Sequence, residues 1–369
     1  MTLLRTFLFF LLHSLPFPFF GQILSDLDAR QDIQYGMEKL YNMDFVNAEA
    51  DFKRVRAAYP QHPVGHLLHA LQIQWQNMPL EKNTKALNSY LQALHSCKIS
   101  AQKLSHPEEA AFFMMASHGY IALSYNYQKE YVKAVQEARL AYTFLKQGMK
   151  LTQVYPDFLF TSGLYNFYRI QYPETHSLVK PVMVFFEGGD KEKGLLQLET
   201  ATHKATFTKV EATMYLGNIY IKYLNNRPKA LQFWELLGKK YPQNLFFKMR
   251  YTEALLLNGR FSEAEPNIDI LETHSSPIFR LAGQTFRGIY HEFGTRNKGL
   301  AAQYYQKATQ LSPDSRYNQE YQAMAYLGLA RFFYHEKENE KAKNALKNAQ
   351  TLAEYAWLQA EIKELGKRI

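Results

Sequence analysis

Small and bulky positions recur along this 369-residue chain at helical rather than strand spacing. A small residue opens a mixed polar and apolar run eight times, at Ala48, Ala86, Ala134, Gly194, Ala230, Ala264, Ala301 and Ala342. In most of these runs a bulky residue follows four positions later: Phe52, Tyr90, Leu198, Trp234, Ile268, Tyr305 and Leu346. The successive spacings of the small residues are 38, 48, 60, 36, 34, 37 and 41 residues, a period that predicts stacked helix pairs. Further small residues inside the first helix of a pair, such as Gly217 and Gly328, let two backbones approach closely, and the bulky residue fills the gap between neighbouring pairs. Proline cannot continue a helical ladder, so Pro60, Pro242 and Pro313 end three of the second helices.

These residues resemble the tetratricopeptide repeat family, whose unit is two antiparallel helices of about 34 residues. The resemblance covers about residues 29 to 366. It implies an all-α fold: a right-handed superhelical array of about eight antiparallel helix pairs, an α-solenoid, with a C-terminal capping helix. The tail "TLAEYAWLQAEIKELGKRI" suits such a cap, with Leu352, Tyr355, Ala356 and Ala360 on one helical face. One domain over 22–369 is expected, with an insertion near 174–190. Residues 181–201, through "GGD" and "GLLQL", also resemble a eukaryotic tetratricopeptide family associated with clearance of inclusions and with lipid droplets; that likeness transfers no function.

Composition narrows the class. With 47% hydrophobic and 21% charged residues the chain is too apolar to be disordered. Residues 1–21 hold one basic residue, Arg5, and a proline-broken apolar run, the layout of a secretory signal peptide. The expectation is therefore an exported protein, periplasmic or envelope-associated if bacterial, with no span in the mature chain. A single cysteine, Cys97, excludes an internal disulfide and reads as a buried, inert thiol. The net charge of +9 is spread out rather than clustered, which argues against nucleic-acid binding.

Phosphate-loop, zinc-protease, C-x-x-C and nucleophile-elbow patterns are missing from the sequence, so no catalytic residue, cofactor or metal is expected. "EGGDKEKG" at 187–194 reads as an interhelical turn with Asp190 as a helix cap. His62, His66 and His69 have helical spacing, but His62 precedes Pro63 and should lie outside the helix, which leaves no metal-ligand set. Met114 and Met115 read as core. The surface that remains is the concave face implied by the resemblance, formed mainly by the first helices. The family register places Tyr120, Leu123, Asn126 and Tyr127 there, then Met214, Asn218 and Lys222, then Phe246, Met249 and Arg250, and finally Tyr326, Leu329 and Phe332. Asn218 and Arg250 resemble two elements of a clamp by which some relatives hold a C-terminal carboxylate.

The stretch "YPDFLFTSGLYNFYRIQYPE", 155–174, carries seven aromatic residues. A helix over 156–171 is predicted, stopping before Pro173. Taking Gly163 as its close-packing residue sends Phe160, Leu164 and Phe167 toward the groove and the tyrosines toward the preceding unit. The apolar insertion 178–186 should then fold back, placing Val182, Val184, Phe185 or Phe186 near Phe160 or Phe167 and narrowing the groove. The leading function is an exported, non-catalytic scaffold that binds a segment of an unidentified protein, such as an envelope component. A binder of glycan or lipid through the aromatic surplus is the alternative.

Overall fold

Short polar side chains set where many helices begin. Asp44, Asn83, Asp190, Asn226, Asn244 and Asn297 each accept a hydrogen bond from a backbone N–H in the first turn that follows, satisfying donors that a helix leaves unpaired. In the computed structural model, which describes residues 22–175, 186–314 and 317–369, these caps open or separate seventeen α-helices, with no strand among the described residues.

The helices follow one another in pairs. They are α1 Leu27–Tyr41 and α2 Phe45–Ala58, α3 Pro63–Gln76 and α4 Thr84–Ala101, α5 Pro107–Tyr127 and α6 Tyr131–Gly148, α7 Phe158–Thr175 and α8 Lys191–Lys204. Then come α9 Lys209–Lys222 and α10 Arg227–Lys240, α11 Leu245–Leu257 and α12 Phe261–Glu272, α13 Pro277–Ile289 and α14 Lys298–Thr309, α15 Gln319–His335 and α16 Asn339–Leu352. A last helix, α17 Ala356–Gly366, has no partner of its own. Eight pairs and a final helix agree with the sequence expectation. All eight small register residues fall in the first turn of a second helix and are buried, and six of the seven bulky residues are buried with them, Leu346 only partly.

Close packing explains why those positions are small. A Cβ on Gly217 would lie 2.5 Å from Trp234 Nε1, and one on Gly328 would overlap the Tyr305 ring at 2.2 Å. A reciprocal seam joins α7 to α8, where a Cβ on Gly163 would stand 2.9 Å from the Gly194 carbonyl oxygen and one on Gly194 2.8 Å from the Gly163 carbonyl oxygen. Two glycines facing each other, neither with a side chain, allow the backbones to come this close.

Two compact units emerge: one holds Asp44–Ser162 with the residues up to Leu40, the other Tyr41–Met43 with Gly163–Ile369. In the first, Phe112 meets Phe113 and Phe158 edge to face at 5.2 and 5.7 Å, and Met114 and Met115 are core. Cys97 is buried in the same core, and burial pushes its thiol up to about 12. His62 caps α3, its Nδ1 accepting from Val64 N at 3.2 Å, while its Nε2 faces Glu109 at 3.4 Å. It stands outside the helix, as the following proline requires.

In the second unit α11 packs on α13 and α13 on α15, so first helices touch across successive pairs. Comparable contacts between the second helices are lacking among the described residues, so this stack bends with its first helices on the inner side. A π-helical turn, Tyr290–Gly294, extends α13 and packs against α12 and α14.

The aromatic stretch departs from expectation at both ends. Its helix starts at Phe158 and runs to Thr175, so Pro173 lies inside the last turn rather than beyond the end. Gly163 does face α8, but the neighbouring Phe167 also lies against Gly194 and is fully buried, so it belongs to the interior of the pair rather than to a groove. Val182, Val184 and Phe185 lie outside the described residues. Where the chain resumes, Arg169 Nη2 donates to the Phe186 carbonyl at 3.2 Å, and Tyr165 Oη and Arg169 Nε donate to the Glu187 carbonyl at 2.6 and 3.0 Å. The chain after the insertion is thus held by the tyrosine and arginine face of α7.

Candidate partner-binding groove

The inner face of the second unit is built from residues one helical turn apart. On α9, Asn218 and Lys222 share a side; on α11, Arg250 and Glu253; on α15, Glu320, Met324, Leu327 and Arg331. Asn244 caps α11 by accepting from Phe246 N and Phe247 N, which fixes the start of the helix that carries Arg250.

Arg250 is the centre of a polar network. It is only 6% exposed. Its Nη2 donates to Asn218 Oδ1 at 2.6 Å, its Nη1 to Tyr321 Oη at 2.9 Å and to Tyr355 Oη at 2.8 Å, and Nη1 lies 2.6 Å from Glu253 Oε2. Tyr321 Oη in turn donates to Glu253 Oε2 at 2.9 Å, and the guanidinium stacks over Trp234 at 5.1 Å. Burial pulls the pKa of Arg250 down, but Glu253 and the two tyrosines outweigh it, and the guanidinium stays charged. Asn218 and Arg250, expected as parts of a carboxylate clamp, do come together. The carboxylate that Arg250 meets, however, is the chain's own Glu253.

The segment after α16 enters this face. Ala353 and Tyr355 are extended, and Glu320 Oε1 and Oε2 accept from Glu354 N at 2.6 Å and Tyr355 N at 3.4 Å. Burial is the main force that raises the Glu320 carboxyl to about 7, with the Glu354 charge adding to it, while the two N–H donors and Lys222 oppose it. Lys222 Nζ donates to Glu354 Oε2 at 2.6 Å. Arg227 stacks over the Trp357 ring at 5.0 Å and pairs with Glu361 at 3.6 Å. Beside Trp357 and Leu358 lies a cavity of about 410 Å³ lined by Leu256, Leu257, Phe261, Ile289, Phe293, Met324 and Leu327, with Arg227, Arg331 and Glu361 at its polar edge. The π-turn aims Glu292 at Arg331, which binds it through two nitrogens at 2.6 and 2.8 Å, and Tyr305 Oη donates to the same carboxylate at 2.6 Å.

The other expected residues fall in several places. Met249 is fully buried and Phe160 nearly so, while Leu164 is half-buried. Phe332 lines a second cavity of about 280 Å³ with Lys298, Tyr305, Arg331, His335 and Arg368. Tyr120 and Tyr127 are half-buried and Asn126 exposed on α5 of the first unit. The predicted cap face is displaced: Ala356 and Ala360 are exposed, whereas Trp357, Leu358 and Ile362 are buried. The extended residues 353–355 restart the helical phase at Ala356, so a face counted on from Leu352 points the wrong way. Residues not singled out in the sequence are Glu253, Glu320, Tyr321, Trp357 and Arg227, and Tyr355 was named only for the cap face. The clue to the first lies in "RYTEALLL", where an arginine and a glutamate three apart sit in an apolar run and must neutralise each other.

No protein-family profile matches this chain, and no curated protein does. Among solved structures it is similar to a tetratricopeptide repeat protein from Parabacteroides merdae, at 16% identity and TM-score 0.34, over 80% of this chain and 99% of that one. It is also similar to the C-terminal part of a TPR repeat-containing protein from Cytophaga hutchinsonii, at 13% identity and TM-score 0.30, over 89% of this chain and 98% of that one.

Proposed function

We propose that this protein is a non-catalytic scaffold whose second unit binds a segment of another protein along its first-helix face. One observation carries the reading: that face already holds a peptide segment, the chain's own residues 354–358, through a buried leucine, a stacked tryptophan and directed polar bonds. Anchors of this kind with a few oriented hydrogen bonds are how helical grooves grip peptides. The N-terminal 21 residues have the composition of an export signal, so the proposed partner is one met outside the cytoplasm.

Photo-crosslinking tests the proposal. A benzoylphenylalanine placed at Phe332, on the first helix α15, should capture a partner in intact cells. The same group at Leu236, exposed on the second helix α10, should not. Equal capture at both positions, or at neither, would overturn it.

A further inference from the structure

A helix that merely caps a stack needs to cover the last pair. Residues 353–366 do more. Glu354 reaches back to Lys222 on α9, Trp357 to Arg227 at the start of α10, and Tyr355 to Arg250 on α11. Each contact pairs one chemical feature of the segment with one group of the face. The acid meets an ammonium, the phenol oxygen accepts from a buried guanidinium, and the indole lies under a second guanidinium. The first two backbone N–H groups meet the Glu320 carboxylate. Between tyrosine and tryptophan, Ala356 is exposed and makes no demand. Along the whole of α17 only Trp357, Leu358 and Ile362 are buried, and Ala353 and Tyr355 before it, so five side chains hold the segment in place. Beside them the cavity of about 410 Å³ has room for larger apolar side chains than this segment supplies.

We infer that the second unit is a receptor for a protein segment with the chemistry of residues 354–358: an acidic residue, a tyrosine, one unconstrained position, then tryptophan and leucine opening a helix. Residues 353–362 are its resident occupant, and such a partner displaces them. This inference rests on the scaffold reading above and adds the identity of what the groove selects. A tethered occupant lowers the apparent affinity for a competitor in proportion to the time it fills the site.

The test uses the full chain and a fluorescein-labelled synthetic peptide that copies residues 353–366. Wild-type protein should bind the peptide weakly. Protein carrying Trp357→Ala should bind it at least about tenfold more tightly, because the tethered copy then competes less well. Glu354→Lys in the protein, an exposed change that sets like charges against each other at Lys222, should act in the same direction without burdening the core. A peptide carrying the same Glu354→Lys change should bind the Trp357→Ala protein at least about tenfold more weakly than the unmodified peptide. Failure of the peptide to bind either folded variant, checked by circular dichroism, overturns the inference. So does a rise to dimer mass by light scattering in the variants without peptide, which would assign the occupant to a second copy. If the peptide fails while the crosslinks at Phe332 persist, only the stated chemistry falls; if both fail, the scaffold reading falls with it.

Discussion

At the scale of single residues, Arg250 shows how a candidate for recognition is also a structural group. Replacing it with methionine leaves Glu253, 1% exposed, as a buried charge without its partner. That change should destabilise the protein by about 3–5 kcal/mol, seen as a lower urea midpoint, whereas adding Glu253→Leu to Arg250→Met should restore most of the loss. The two changes are therefore expected to be strongly non-additive. Glu320 governs a pH effect. Its carboxyl titrates near 7 with the segment in place and near 4.5 when solvated, so the docked form holds the extra proton across that window. Docking of residues 353–366 should strengthen as pH falls from about 7 toward 4.5 and change little above 7. Hydrogen exchange of that segment should follow this trend and lose it in Glu320→Gln; Glu354, Lys222 and Tyr355, the other groups facing Glu320, remain in place in that variant. Cys97 should resist alkylation in the folded protein and react promptly in denaturant, since burial disfavours its thiolate.

At the scale of helices, the register of small and bulky residues is the dominant design. Gly217→Ala forces a methyl onto the buried Trp234 ring and should cost about 1–3 kcal/mol by chemical denaturation. The same change at Gly119, where a Cβ meets nothing within 4 Å, should be neutral or stabilising, because alanine favours a helix interior. This register was legible in the sequence because each small residue must meet a backbone or a ring, and eight repetitions make the spacing visible. The break at Ala353–Tyr355 was not legible. No glycine or proline marks it, and what turns the chain there is Glu320 on another helix, accepting two N–H groups from a distance in sequence. Likewise Pro173 suggested a stop, yet the helix runs on to Thr175 with the proline inside its last turn.

At the scale of the whole chain, the sequence disclosed the eight pairs but only part of the candidate groove. Asn218, Lys222 and Arg250 could be placed by register, since register fixes which side of a helix a residue occupies. Their partners Tyr321, Tyr355 and Glu354 lie 71, 105 and 132 residues further along the chain, and no local pattern links such positions. The division into two compact units was not legible either, because its boundary falls inside α7, where the helical pattern continues unbroken from Ser162 to Gly163. That same helix carries the seam with Gly194. Neither glycine can gain even a methyl while the other's carbonyl oxygen stands where it does. That oxygen belongs to the backbone and stays whatever residue replaces its glycine, so changing one position does not free the other, and among related chains both should stay glycine.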